Sequence, residues 1–231
     1  GGAGQRRRRR DACAAATAVM AAAAAMAAAP AAAAASAALA AATGDISGGS
    51  NGSGSVAAAE AAVAAGADAC RRDNFGRTPL HAAAWYGHVE LVQWLAEGAA
   101  AATVDAGNRF GERPLHLVCR RGRTAVVRYL IGRGDIDATA CDATGWTALH
   151  WAAALGHLAT VKLLVLHTGV DIDARTNGAG QSALDFATSR GHAETAAWLR
   201  DCAHEARARR LAVALWGDGL RRRIEEQPPL N

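Results

Sequence analysis

The sequence predicts an all-α solenoid of stacked helix-turn-helix units joined by short hairpin-like turns. Three observations predict it. First, four stretches align: Asn74-Phe75-Gly76-Arg77-Thr78-Pro79-Leu80-His81, Arg109-Phe110-Gly111-Glu112-Arg113-Pro114-Leu115-His116, Ala143-Thr144-Gly145-Trp146-Thr147-Ala148-Leu149-His150 and Gly178-Ala179-Gly180-Gln181-Ser182-Ala183-Leu184-Asp185. Their last residues lie 35, 34 and 35 positions apart. Self-similarity at such a period is the mark of one supersecondary unit stacked on copies of itself. Second, each stretch is followed six residues later by glycine (Gly87, Gly122, Gly156, Gly191), and in three of the four histidine comes next. Third, the segments after those glycines carry bulky residues at three- and four-residue spacing, Val92 with Leu95 and Val127 with Leu130 and Ile131, the period of a helix with one buried face.

Each element of a unit follows from local chemistry. Gly76, Gly111, Gly145 and Gly180 mark a tight turn where positive φ is cheap only for glycine. Thr78, Thr147 and Ser182 are good helix N-caps. Pro79 and Pro114 suit the first helical position, where a missing N–H costs nothing. Arg113 lacks such a cap, so the second repeat is expected to start its helix less well. About eight helical residues follow, and the glycine stops them. Second helices are expected over Val89–Glu97, Thr124–Gly132, Leu158–Leu166 and Ala193–Asp201. Asp135-Ile136-Asp137 and Asp171-Ile172-Asp173 then turn the chain toward the next unit. Helices this short are marginal in isolation and must stack. The small pairs Ala83/Ala84, Val118/Cys119, Ala152/Ala153 and Ala187/Thr188 are expected to let neighbouring units approach closely.

The flanks differ from this middle. Residues 1–37 form a low-complexity Arg/Ala-rich tail: Arg6–Arg10, Asp11, then an alanine tract broken by Pro30. Basic residues ahead of an apolar run also fit a targeting segment. A spanning helix needs about 20 strongly apolar residues, and Val19, Met20, Met26 and Leu39 among alanines do not supply them, so no membrane span is expected. The chain starts at Gly1 without methionine, which keeps open that it is a fragment. Residues 46–55 are a Gly/Ser stretch. Gly48-Gly49-Ser50-Asn51-Gly52 within it matches the nucleophile elbow G-x-S-x-G in form only, because that motif needs a strand before it and a helix after it. Residues 202–231 begin helically through Ala203–Trp216, with a capping helix expected over the last repeat, and Pro228-Pro229 ends it.

Composition narrows the function. Of 231 residues 63 are alanine, and 24 of the 25 basic residues are arginine, the exception being Lys162. That bias reads as coding composition more than as basic chemistry. Net charge is +3 over residues 1–72, −1 over 73–201 and +2 over 202–231. The middle is balanced, which argues against a dedicated nucleic-acid domain. Arg6–Arg10 and Arg221–Arg223 leave a nucleic-acid or nuclear-import role as a minor alternative. The five cysteines are odd in number and widely spaced, without C-x-x-C, which speaks against a disulfide framework or structural zinc. His81, His116 and His150 hold equivalent positions in units about 8–10 Å apart, too far to share a metal whose ligands lie within about 2.3 Å. No P-loop, dinucleotide loop, paired catalytic carboxylates or H-E-x-x-H occurs. No catalytic residue, cofactor or metal is expected.

Thr78-Pro79-Leu80-His81, the Gly-His pairs, the short helix pair and a period near that of about 33 residues resemble the ankyrin repeat. Four full units span about residues 73–201. A degenerate fifth lies over 38–72: Ala38–Asp45 resembles the first helix of a capping repeat, and Glu60–Ala65 followed by Gly66-Ala67-Asp68 resembles a second helix and its exit, with the Gly/Ser stretch inserted between. Two departures are visible: the first full repeat exits through Ala99–Ala102 without Gly-Ala-Asp, and Asp185 replaces the histidine in the last. The family's histidine at that position is structural, bonding the turn.

The resemblance implies a protein partner contacted by the turn tips and the exposed end of each first helix. Carried over by position, the tips are Asn74, Phe75 and Arg77; Arg109, Phe110 and Glu112; Ala143, Thr144 and Trp146; Gly178, Ala179 and Gln181. The helix ends are Trp85 and Tyr86; Arg120 and Arg121; Ala154 and Leu155; Ser189 and Arg190. Exposed Trp, Tyr and Arg are typical of interface hot spots, so the first two full repeats offer an aromatic and arginine-rich strip. The bland alternative is solvated arginines beside aromatics that pack on their neighbours. The expected function is a monomeric, non-enzymatic adaptor or scaffold whose partner carries an acidic and an apolar group. The alternative is a regulatory or substrate-recruiting arm of a larger enzyme or channel. A cytoplasmic location is expected, with nuclear or organellar alternatives set by the arginine-rich N-terminus.

Overall fold

Local signals place every helix, and stacking gives each its stability. The computed structural model describes residues 34–44, 52–98, 100–178 and 180–216, the last twelve as backbone helix only. The expectations for most of the alanine-rich tail, for the formal G-x-S-x-G match apart from Gly52, and for Pro228-Pro229 lie outside the described residues. Helix α1 covers 34–43. The others are α2 (Val56–Ala64), α3 (Pro79–Tyr86), α4 (Val89–Glu97), α5 (Pro114–Arg121), α6 (Thr124–Arg133), α7 (Ala148–Ala154), α8 (Leu158–Thr168), α9 (Ala183–Ser189) and α10 (Ala193–Trp216). Among the described residues there is no strand, only an isolated bridge between Cys141 and Thr147.

The helices pair antiparallel as α3/α4, α5/α6, α7/α8 and α9/α10. Two rows run along the stack: α3, α5, α7 and α9 on the inner side, and α2, α4, α6, α8 and α10 on the outer. Leu80, Leu115 and Leu149 of the inner row and Leu91, Leu95, Leu130 and Leu164 of the outer row are buried in one continuous core. Ala83, Ala84, Val118, Cys119, Ala152 and Ala153 are fully buried between units, as their size demands. Thr188 is exposed instead, because α9 is the last inner helix among the described residues; its hydroxyl turns back to the Leu184 carbonyl at 2.8 Å.

Histidine ties each unit to the next. Its Nδ1 accepts the N–H of the N-cap residue three positions earlier, at 3.1 Å for Thr78–His81, Arg113–His116 and Thr147–His150. A ring nitrogen that accepts an N–H carries no proton, so the neutral ring is protonated at Nε2. That Nε2 donates to a carbonyl of the following unit: Glu112 O at 3.2 Å, Ala140 O at 3.0 Å and Ala174 O at 3.0 Å. Asp185 does only the first half of this task, accepting the Ser182 N–H at 2.9 Å. Among the described residues no further turn follows this unit, and a short acceptor suffices there. Arg113, the expected weak cap, is compensated by His116, and its guanidinium pairs with Asp105.

The Gly-His pair is a contact between units. Gly122 has φ +64°, and a Cβ there would stand 2.6 Å from Nδ1 of His157, the histidine of the next unit. His157 Nε2 in turn donates to Arg120 O at 3.3 Å, the open C-terminal end of α5. His192 repeats this over Gly156, reaching Ala154 O at 3.1 Å. His88 packs in the same way over Gly54. Gly54, near the end of the Gly/Ser stretch, therefore serves the upstream unit as Gly87, Gly122 and Gly156 serve the others.

The ends of the stack follow different rules. Ala35, Leu39 and Ala42 of α1 are buried in the common core, so α1 covers the first full repeat. The boundary expected at residue 201 falls inside α10, which continues unbroken from Ala193 to Trp216. No glycine or proline interrupts that run, so nothing stops the helix. The exit after α4 is a short 3-10 turn, Ala101–Thr103, with Ala100 and Val104 buried as its plugs.

Candidate partner-binding face

The first three turn tips are built on a residue three positions before the turn glycine. Asp73 Oδ1 accepts the N–H groups of Phe75 and Arg77, both at 2.8 Å. Asn108 Oδ1 accepts those of Phe110 and Glu112 at 2.8 and 2.9 Å, and Asp142 Oδ1 those of Thr144 and Trp146 at 2.9 and 3.0 Å. These Asx turns hold the first three tips in one shape, whereas in the fourth the Thr176 hydroxyl accepts the Gln181 N–H at 3.2 Å. Successive tips are laced by backbone bonds: Arg109 N–H to Phe75 O and Ala143 N–H to Phe110 O, each 2.9 Å. Burial raises the Asp142 carboxyl, but bonds from the Thr144 hydroxyl, the Trp146 N–H and the Trp151 indole outweigh it and hold the group below the usual carboxylate range. Asp73, Asn108 and Asp142 were not among the expected site residues. Their regular place ahead of the glycine is the sequence signal that would have found them.

The tip residues separate into free and packed groups. Asn74, Phe75, Arg109, Phe110 and Thr144 are exposed. Phe75 and Phe110 stack at 6.5 Å between centroids across neighbouring tips while remaining 43% and 54% exposed. Arg77 lies 4.7 Å over Phe75 and pairs with Asp73 at 2.6 Å. Glu112 turns toward Asn108, whose Nδ2 donates at 2.9 Å, and toward Arg120. Trp146, read from position as a tip, turns its indole inward: it packs 4.5 Å from Trp151, 4.3 Å from Phe186 and 6.4 Å from His150.

The first-helix ends converge on the same inner face. The Arg120 guanidinium sits 5.5 Å from the Trp85 ring and 4.7 Å from the Trp151 ring, so it is held between two indoles, with Glu112 Oε1 3.3 Å away. Arg120 is thus a packed residue, not a loose surface charge. Arg121 is exposed and lies 4.6 Å over the Trp85 ring. Tyr86 is half-buried, 6.1 Å from the His88 ring. Leu155 is 36% exposed, and Arg190 reaches back to Ala154 O at 3.4 Å. Trp151 and Phe186 join the band although neither was expected there. Each follows directly after the repeat's His150 or Asp185, where the first two full units carry Ala82 and Leu117. The result is an inward band, Trp85, Arg120, Trp151, Trp146 and Phe186, flanked by Arg121.

Nothing in this band is arranged for bond chemistry. Among the described residues no group of three His, Cys, Asp or Glu could hold a metal ion. Cys119 is fully buried, and burial pushes its thiol far above the range where thiolate forms. His81 is pushed down to about 4 by burial, and burial lowers His116 and His150 too. All three are neutral structural groups near pH 7. No described helix is long and apolar enough to cross a membrane.

Comparison with known proteins agrees with this architecture. A family model described as "Ankyrin repeats (3 copies)" matches residues 98–176 and again 136–210. One described as "Ankyrin repeats (many copies)" matches residues 39–96, which takes in the degenerate upstream unit. Ankyrin repeat domain-containing protein 63 of Mus musculus is 38% identical over 131 residues, 53% of this chain and 32% of that protein. Its Homo sapiens counterpart is 37% identical over 130 residues, 53% of this chain and 33% of that protein. Neurogenic locus notch homolog protein 2 of Homo sapiens is 36% identical over 113 residues, 49% of this chain but 4% of that protein. The matched part spans about a third of the length of the first two relatives.

Proposed function

Because the chain belongs to the ankyrin-repeat family, a general protein-interaction module, we propose that it is a non-enzymatic adaptor that holds a segment of a partner protein against the inward face of α3, α5, α7 and α9. One observation carries this reading. Trp85, Trp146 and Trp151 remain only half-buried on that face, with Arg120 held between Trp85 and Trp151 and Trp146 packed against Trp151. A chain that needed these rings only for its core would cover them. Tryptophan and arginine held rigid and still accessible are what a protein interface draws its affinity from. Cys119 and Cys141 carry thiols and not disulfides, which supports a cytoplasmic place for this activity, and a fluorescently tagged full chain would test it.

Arg121 is the residue to change, because Arg120 also holds the band together. Arg121→Glu is a surface substitution and should alter stability by no more than about 0.5 kcal/mol. It should weaken binding of a protein captured by the immobilised full chain by at least about tenfold, near 1.4 kcal/mol. Undiminished affinity would place the contact elsewhere, first at Phe75 and Phe110. A second reading makes the repeats a recruiting or regulatory arm of a larger protein. It is favoured by the relatives, in which the matching repeats are a third of the length or less. A reading frame extending from these repeats into a catalytic or channel domain would select it.

A further inference from the structure

An open groove of about 620 Å3 lies at the N-terminal end of the inward face, outside the aromatic band. Its floor is apolar: Leu39 and Ala40 of α1 face Pro79 and Ala82 of α3. Its rim carries Phe75, Arg71 and Arg72. The groove leads into the band, because Ala82 lies three residues before Trp85 on one helix and positions three apart share a helix face.

The charges along this path are unequally matched. Two of the three carboxylates are paired, Asp73 with Arg77 and Glu112 with Arg120, and Asp68, which accepts the Cys70 N–H at 2.8 Å, is the one left without an ion pair among the described residues. Arg71, Arg72, Arg109 and Arg121 are exposed and make no ion pair among the described residues. Arg71 donates to Ser36 Oγ at 3.3 Å, and Arg72 to the carbonyls of Gly76 and Gly107 at 3.0 and 2.7 Å. These neutral acceptors fix the guanidinium positions without cancelling their charge. Pre-positioned arginines take carboxylates in two-point bonds that lysine cannot copy.

We infer that this groove is the anchor site for an acidic partner segment, which seats an apolar side chain on Leu39, Ala40 and Ala82 and lays carboxylates on Arg71, Arg72 and Arg121. The inference rests on the protein-binding reading above and adds to it where the segment is anchored and what chemistry it carries. A single helix pair would not form the site: α1 supplies one wall and the first full repeat the other, so the degenerate upstream unit has a binding role as well as a capping one.

The test uses the full chain and a fluorescein-labelled peptide alternating glutamate with leucine and phenylalanine, read by anisotropy. Controls replace its glutamates with lysine, or its leucines and phenylalanines with alanine. The acidic apolar peptide should bind, and each control should bind at least about tenfold more weakly. Ala37 and Ala40 are exposed on α1 and line the groove, and glutamate is a good helix former, so Ala37→Glu with Ala40→Glu should keep the fold, checked by circular dichroism. That pair should weaken the acidic peptide at least about tenfold. If the pair leaves binding unchanged while Arg121→Glu abolishes it, the groove assignment falls and the protein-binding reading stands. If the full chain binds none of the peptides, or the lysine peptide equally well, the acidic partner is wrong. Tight, salt-sensitive binding of an RNA oligonucleotide in place of the peptide, or a dimer lost in the Ala37→Glu/Ala40→Glu chain, would give the groove a different occupant and overturn the inference.

Discussion

Acid should unlock the stack through its histidines before it reaches the carboxylates. His81, His116 and His150 each accept an N–H at Nδ1 and donate from Nε2 to the next unit. Protonation at Nδ1 removes the acceptor and places a cation in the core. For His81, burial pushes the folded pKa down from the ordinary 6.5 to about 4. The unfolded chain therefore binds more protons than the folded one between those values. The sign is fixed by that difference: the histidine term is fully present above about pH 7.5 and is lost as pH falls through 6.5 toward 4. Each unit of pH inside the window costs up to about 1.4 kcal/mol per histidine, so His81 alone loses about 2–3 kcal/mol between pH 7.5 and 4.5. His116 and His150 add losses of the same sign. Against a usual total of about 5–15 kcal/mol this is a large share. Asp73, Asp142 and Asp185 are held below the ordinary carboxylate value, so their contribution fades only below about pH 4–5. Asp105, raised by burial, acts in the opposite sense near the bottom of the window. Urea unfolding followed by circular dichroism at pH 7.5, 6.5, 5.5 and 4.5 should show the midpoint falling across the series. Ring resonances should show His81 still neutral at pH 5.5 and protonated at Nε2. A flat midpoint, or a His81 ring titrating near 6.5, would refute the reasoning.

Three further substitutions test the packing. Leu149 is 1% exposed at the start of α7, so Leu149→Ala should cost about 2–5 kcal/mol, read from the urea midpoint; an unchanged midpoint would mean the register of the units is misassigned. Gly122→Ala combines a strained φ of +64° with a Cβ placed 2.6 Å from the His157 ring. It should cost at least about 1 kcal/mol, whereas Gly132→Ala, where a Cβ meets nothing within 4 Å, should be neutral or stabilising.

Much of this protein was legible in one dimension because its strongest signals are local and repeated. N-caps, first-position prolines, terminating glycines and three- and four-residue apolar spacing act within one turn of chain, and four copies make their register unambiguous. Even the Asx residues behind the tips, though overlooked, are written at a constant offset from the glycine. The face that would meet a partner is different. Whether Arg120 is a loose charge or a cation held between Trp85 and Trp151, whether Trp146 points out or lies against Phe186, and whether Leu39 belongs to a tail or to a core are settled by side chains about 30 or more residues away. The sequence by itself determined where each helix begins and stops and that units must stack, since backbone bonding and burial period are properties of neighbouring residues. Only the tertiary structure decided which arginines remain without a carboxylate and where a groove stays open. Both depend on which side chains of successive units compete for the same space.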